Sequence, residues 1–320
     1  MPILEVNDAN MALAASTIRA GGLVAFPTET VYGLGANALD ADAVAAIFAA
    51  KGRPATNPVI VHVRSTQAAA EVAEVNDIAT RLMDAFWPGP LTLVLPRRAN
   101  VPDVVTAGGS TVAVRQPKHP VAQRLLDLAG VPIAAPSANR SESISPTRAE
   151  HVMSSLGDRV DIILDGGWTE VGLESTVLDV TVDPPQILRP GMVTSAQIAE
   201  VLGYELSTVT RSHEIARTPG AMPRHYAPRT PLRIVEDVWA TARDATHKVA
   251  VIAWRNSDIG DFNIFPNSYL GDDPANYAKN LYDVLHEIDT WGVDEILVEG
   301  VPDGEAWAAI RDRLSRAAAK

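Results

Sequence analysis

The chain has 320 residues, 47% of them hydrophobic, and a net charge of −12 at pH 7; that length favours two domains over one, and that charge disfavours a broad nucleic-acid-binding face without excluding a small basic pocket. The absence of cysteine excludes disulfides and thiolate metal sites. No apolar run approaches the roughly 20 residues of a membrane span, and Met1 to Glu5 lacks the basic and apolar regions of a secretory leader, so a cytoplasmic protein is expected.

The patterning alternates helix and strand. Asn10 to Gly22 is Ala-rich with Leu13, Thr17 and Ile18 at helical spacing, and the glycine pair stops it. Leu23 to Phe26 reads as a strand, followed by a polar, glycine-bearing loop, Pro27-Thr28-Glu29-Thr30-Val31-Tyr32-Gly33-Leu34-Gly35. Asp40 is placed to cap a helix to about Ala50, which Gly52 and Pro54 end. Pro58 to Val63 is an almost wholly apolar strand, expected to be buried on both faces. A helix over Ile78 to Phe86 follows, then strands over Leu91 to Leu95 and Thr111 to Val114, a helix over Val121 to Ala129 and a short strand over Ile133 to Ala135. Strands at Ile162 to Leu164, Ser175 to Val180 and Gln186 to Leu188 and a helix over Thr194 to Leu202 complete a first domain, residues 1–203. From 204 to 230 periodicity is lost and Pro, His and Arg accumulate, the pattern of a linker. Residues 231–320 alternate again: strands at Leu232 to Val235, Lys248 to Trp254 and Glu295 to Glu299, with helices near Trp239, over Tyr277 to Ile288 and over Glu305 to Ala318. That predicts a smaller, mainly parallel α/β domain.

The loop after the first apolar strand sets the hydroxyls of Thr28, Thr30 and Tyr32 beside a glycine backbone, a natural place to hold a small polar molecule. Its Gly33-Leu34-Gly35-Ala36-Asn37-Ala38 matches G-x-G-x-x-A, yet a dinucleotide fingerprint has its glycines directly after the strand and an acid roughly 20 residues on. Here Pro27 to Tyr32 intervene and Lys51 and Arg53 stand where the acid belongs. The sequence G-x-x-x-x-G-K-[ST] is absent, so a P-loop is unsupported.

Lys51-Gly52-Arg53-Pro54 places two cations on a glycine turn, a pattern suited to phosphate oxygens. Taken singly, Lys51 reads equally as a cation offsetting a helix C-terminus, Arg53 as a solvated loop residue and Asn57 as a turn residue. His62, inside an apolar strand, is either a core histidine or a neutral donor in a pocket wall. Thr111 and Arg115 share one face of their strand by period-two alternation. Pro136-Ser137-Ala138-Asn139 is a strand-to-turn corner, with Ser137 outside any G-x-S-x-G elbow. Glu174-Ser175-Thr176 enters a strand, Arg189-Pro190-Gly191 puts a cation on a turn, and Pro219 to Pro228 is stiff enough to act as a strap carrying Tyr226. The seven histidines form no short metal-ligand pair.

In this order, Pro27 to Leu34, Lys51 to Pro54, Ser137 to Asn139, Glu174 to Thr176 and Arg189 to Gly191 resemble the YrdC-type domain, and the Pro219 to Pro228 strap with the C-terminal domain resembles the long, two-domain threonylcarbamoyl-AMP synthases. The resemblance spans nearly the whole chain. It implies an α/β fold: a YrdC-like twisted open sheet with a concave basic cavity, plus a Rossmann-like C-terminal domain. It implies a nucleotidyltransferase, an L-threonylcarbamoyladenylate synthase condensing L-threonine, bicarbonate and ATP to threonylcarbamoyl-AMP and pyrophosphate. The product would pass to a separate transferase complex that modifies tRNA adenosine next to the anticodon. By the same resemblance, Thr30, His62, Arg115, Ser137 and Ser175 hold threonine. Arg53, Asn57, Thr111, Ser145, Arg189 and Tyr226 hold ATP, with main chain at Ala135. Lys51 and Arg53 form the basic catalytic motif. Magnesium would accompany ATP, with no protein ligand named for it. The alternative in a different class is a double-stranded RNA-binding or ribosome-associated module. The acidic balance argues against it, and neither DNA, a membrane nor direct RNA binding is expected.

Overall fold

In the computed structural model, residues 3–206, 225–255 and 266–319 are described. The larger sheet contains β1 (Ile3–Glu5), β2 (Val24–Pro27), β3 (Tyr32–Asn37), β4 (Ile60–His62), β5 (Leu91–Pro96), β6 (Thr111–Arg115), β7 (Ile133–Ala134), β8 (Ile162–Asp165), β9 (Thr176–Asp179) and β10 (Gln186–Arg189). Its strand order is β1-β8-β2-β3-β7-β4-β6-β5-β9-β10, with parallel and antiparallel neighbours mixed. The helices of this region are α1 (Asp8–Arg19), α2 (Ala41–Lys51), α3 (Thr66–Ala69), α4 (Asp77–Phe86), α5 (Asp103–Thr106), α6 (Pro120–Ala129), α7 (Ala149–Leu156) and α8 (Ser195–Leu202). Local chemistry sets their ends. Asp40 accepts from the amides of Asp42 and Ala43 to start α2, and Gly52, at φ 63°, closes it.

Alternation along the strands assigns the two faces. Val24 and Phe26 turn to α1 and α6, packing with Met11, Ile18 and Leu125. Ala25, Leu34 and Val61 turn to the other side, against Ile47, Phe48 and Leu82. At β4, β6, β5 and β9 the face opposite this main core carries only a small apolar cluster, Ile60, Val94, Ala113 and Val177. That face is the floor of the concavity described below.

The polar segment after β2 is a β-hairpin rather than a loop leading to a helix. β2 and β3 pair antiparallel from Val24↔Gly35 to Pro27↔Tyr32, so Gly33 and Gly35 lie within a strand. Gly35 is required there by close packing: a Cβ would lie 2.7 Å from Phe26 Cε1 and 2.8 Å from Ile133 Cγ2. The segment of the linker strap from 207 to 224 lies outside the described residues, whereas His225 and Tyr226 are within them.

The second sheet is wholly parallel, in the order β11 (Leu232–Val235), β14 (Glu295–Glu299), β12 (Val249–Ala253), β13 (Asn267–Tyr269). Val249, Val251 and Leu297 pack on α9 (Val238–Asp244). Ala250, Ile252, Ile296 and Val298 face α10 (Pro274–Ile288) and α11 (Ala308–Ala317), and the cluster on that side continues into Val31, Ile144, Leu173 and Tyr226 of the first region. The two regions therefore share an apolar seam. At Gly172, with φ 77°, a Cβ would lie 2.5 Å from the carbonyl oxygen of Ala278 and from the backbone of Lys279. Gly172→Ala is expected to destabilise the chain by about 2 kcal/mol or more, combining a left-handed backbone with a backbone collision. A denaturant series on the whole chain checks this; an unchanged midpoint would mean the seam yields freely.

Candidate active site

A cavity opens where the hairpin, β4, β6 and the segments entering β9 and leaving β10 converge. Thr28, Thr30, Gly33, Arg53, Ile60, His62, Arg115, Ala135, Ser137, Glu174, Ser175, Arg189, His225 and Tyr226 are among its lining residues. Period-two alternation explains the assembly. His62 pairs with Arg115 and Ile60 with Ala113 across β4 and β6, so His62, Arg115, Ile60 and Ala113 stand on the face opposite the main core. Thr111, two residues further along that face, lines a second cavity with Pro58, Val94 and Ala113. From Arg115 to Thr111 the floor extends about 13 Å at the usual strand rise.

The arginine at one end is fixed by the hairpin turn. Arg115 Nη2 lies 2.6 Å from Glu29 Oε1, Nη1 donates to Thr30 Oγ1 at 2.9 Å and Nε donates to the Gly89 carbonyl at 3.1 Å. The guanidinium, which lines the cavity, keeps donor capacity beyond these three contacts. Thr28 donates to the Val31 carbonyl at 2.7 Å, so in its 2.7 Å contact with Thr30 it is Thr30 that donates. Burial alone would raise the Glu29 carboxyl; the charge and hydrogen bond of Arg115, with the amides of Glu29 and Lys118, outweigh it and hold the group below its ordinary value. His62 is drawn down to about 3, first by burial and then by Arg115. It is therefore neutral at physiological pH, and its Nδ1 has no partner among the described residues.

The other cations sit around Ser175 and the Ser137 corner. Arg189 Nε and Nη2 both donate to the Ser175 carbonyl, at 3.1 and 2.9 Å, and Nη2 also reaches Ser175 Oγ at 3.2 Å. Arg53 donates to the carbonyls of Asn57 and Pro58, at 3.3 and 2.9 Å. Burial, reinforced by Arg189, lowers Arg53 to about 10, which leaves it charged. His225 is lowered to about 3, chiefly by burial.

Three predicted residues stand outside both cavity linings. Lys51 Nζ donates to the carbonyls of Ser137, at 2.5 Å, and Asn139, bracing the corner from behind. Burial and then Arg53 push its ammonium well below the ordinary lysine value. Asn57 contributes its carbonyl to Arg53. Ser145 donates to Glu174 Oε1 at 2.5 Å, and its own carbonyl meets His286 Nε2 at 3.1 Å. The remaining candidates, Thr30, Arg53, His62, Arg115, Ala135, Ser137, Ser175, Arg189 and Tyr226, line the first cavity and Thr111 the second. Glu29, which holds Arg115, and Glu174, in the cavity wall, were not singled out from sequence as site residues. Their one signal was a lone acid inside each polar segment that enters or leaves a strand.

Comparison with known proteins gives the chain a family. Residues 16–191 match the Sua5, YciO and YrdC family described as telomere recombination, and residues 193–319 match the threonylcarbamoyl-AMP synthase C-terminal domain. A threonylcarbamoyl-AMP synthase of Pyrococcus abyssi is 44% identical, covering 98% of this chain and 95% of its own. The chain belongs to the two-domain threonylcarbamoyl-AMP synthase family. Another of these synthases, from Bacillus subtilis, is 41% identical over 98% of this chain and 94% of its own. The crystal structure of P. abyssi Sua5 complexed with L-threonine aligns at TM-score 0.91 and 43% identity, covering 99% of this chain and 98% of that one. In this family setting, among the described residues no helix is long and apolar enough to cross a membrane.

Proposed function

We propose that the protein is a cytoplasmic L-threonylcarbamoyladenylate synthase, a nucleotidyltransferase that converts L-threonine, bicarbonate and ATP to threonylcarbamoyl-AMP and pyrophosphate. Its product would serve a separate transferase complex acting on tRNA next to the anticodon. The observation that carries the reading is the single floor running from Arg115, braced by Glu29 and Thr30, past Ala113 to Thr111. Arginines flank it at 53 and 189. An α-carboxylate suits the remaining fork of Arg115, and a nucleotide suits the length toward Thr111. The threonine named with the P. abyssi Sua5 structure supports the first assignment.

The chemistry then asks for positioning rather than a covalent intermediate. The threonine amine attacks the bicarbonate carbon, water leaves and a carbamate forms. A carbamate oxygen attacks the α-phosphorus as the bond to the β-phosphate oxygen breaks, releasing pyrophosphate. Arg115, Thr30 and Ser175 orient threonine so that its amine meets the carbon. Neutral His62 offers a hydrogen bond without repelling an ammonium that must lose its proton. Arg53 and Arg189, both in the cavity lining, supply fixed positive charge for the phosphate charge that develops. Magnesium brought in with ATP would supply charge neutralisation beside Arg53 and Arg189. Among the described residues no three His, Asp or Glu side chains gather as a metal cage, and both oxygens of Glu174 are occupied by protein donors.

Pyrophosphate release from ATP by purified protein tests the reading. Release is expected only when L-threonine and bicarbonate are both present. Release that needs neither would make the protein a general nucleotide hydrolase instead.

A further inference from the structure

Glu174 is a carboxylate in the wall of a cavity otherwise rich in arginine, and its counter-charge comes from the last helix of the chain. Arg313 on α11 is 1% exposed. Its Nε donates to Glu174 Oε2 at 2.8 Å, and Nη1 meets Asp312 Oδ2 at 2.7 Å. The same guanidinium carbon lies 5.1 Å from the centre of the Tyr226 ring. Tyr282 on α10 stacks on that ring at 5.9 Å and donates to Glu174 Oε2 at 3.1 Å. Tyr226 itself has φ 61°, a conformation non-glycine residues rarely adopt. Its place is held by what packs on it: Val31, Ile144 and Leu173 of the first region share its cluster, and Tyr282 and Arg313 of the C-terminal domain meet its ring. Its hydroxyl, buried at the cavity, has no partner among the described residues.

We propose that Arg313 is a positioning residue of the cavity: from the C-terminal domain it neutralises Glu174 and holds the Tyr226 ring in the wall, so that the cavity accepts a polyphosphate. This rests on the nucleotide reading above. An uncompensated carboxylate facing a triphosphate repels it, and in a water-poor wall that repulsion is weakly screened. With Arg313 in place Glu174 no longer offsets Arg53 and Arg189 in the lining, where Arg115 is already balanced by Glu29. The C-terminal domain thus completes the site electrostatically.

The test measures binding of ATP, AMP and L-threonine by calorimetry, which reports affinity and active fraction separately. Arg313→Met keeps the apolar stem and removes the charge. It is expected to weaken ATP by about tenfold or more, AMP by less and threonine by under about twofold, with stoichiometry held. Arg313→Met/Glu174→Gln removes both charges and is expected to restore most of the ATP affinity. Arg313→Lys keeps the charge and is expected to stay near wild type, which preserves the test if the Met variant does not fold. Wild-type ATP affinity in Arg313→Met overturns the proposal. So does a proportionate loss of all three ligands that the double variant leaves unrepaired, since that is a packing defect. Absence of threonine- and bicarbonate-dependent pyrophosphate release by the wild type would overturn the proposed reaction while the ATP series still judges Arg313. A wild type that binds no ATP would overturn both.

Discussion

Arg115→Ala is expected to raise the threonine concentration for half-maximal turnover by roughly a hundred- to a thousandfold, the loss of about 3–4 kcal/mol for a desolvated, fork-shaped carboxylate contact. The ATP requirement should move by no more than a few fold. The same substitution also orphans Glu29. That carboxylate is 2% exposed and holds its charge against burial through Arg115, so removing the arginine costs about 3–5 kcal/mol of stability as well. The two effects separate with a second variant. Arg115→Ala/Glu29→Gln should regain much of the stability and none of the threonine affinity, because the glutamine no longer needs a counter-ion. Arg115→Lys should be intermediate for threonine, since an ammonium keeps the charge and loses the fork. Steady-state kinetics with each substrate varied in turn, beside thermal melting, gives all of these values. A larger rise for ATP than for threonine would assign Arg115 to phosphate and reverse the orientation of both substrates on the floor.

What was legible in the sequence follows from what is local. The apolar runs over Pro58 to Val63 and Thr111 to Val114 identified two strands, which the fold pairs, and the spacing of Thr111 and Arg115 gave the face those two residues share. The burial expected on both faces of Pro58 to Val63 holds, with Ile60 and His62 only 6% and 3% exposed, yet one of those faces is cavity wall. The hairpin was hidden because Gly33 and Gly35 look like turn residues. Their presence in a strand is explained by Phe26, Ile133 and Ala135, which fill the space a Cβ would need. The helix Ala149–Leu156 has only Ala149, Val152 and Leu156 as buried positions, too sparse a stripe to announce itself. The strand Asn267–Tyr269 is a short polar edge. Glu174 and Arg313 are 139 positions apart in the chain, and no local pattern reports such a pairing. Lys51 shows the same limit from the other side: the motif predicts a cation facing phosphates, and only the fold reveals that its ammonium is bound to the Ser137 and Asn139 carbonyls.

Acid should unfold this protein early, because several histidines are stored neutral. His62, His151 and His225 are each lowered to about 3, with burial the leading cause, and His119 and His286 are lowered in the same direction. In the unfolded chain these rings titrate near their ordinary value of about 6.5. Between that value and about 3 the unfolded state binds more protons than the folded one, so stability falls as pH falls. At pH 5.5 each of the three most shifted rings costs about 1.4 kcal/mol, and together they remove about 4 kcal/mol relative to pH 7.5. Glu29 and Glu174, both lowered by their arginines, add to the loss with the same sign once pH drops below the ordinary carboxylate range. His151 offers the cleanest check, since it lies outside the cavity lining, stacked on His286 at 3.9 Å across the seam. His151→Phe should reduce the loss between pH 7.5 and 5.5 by about 1.4 kcal/mol, with little change in substrate requirements at pH 7.5. Denaturant unfolding at a series of pH values measures the slope directly. A flat profile down to pH 5.5 would mean that the histidines protonate within the folded protein, and would remove a neutral His62 from the proposed threonine site.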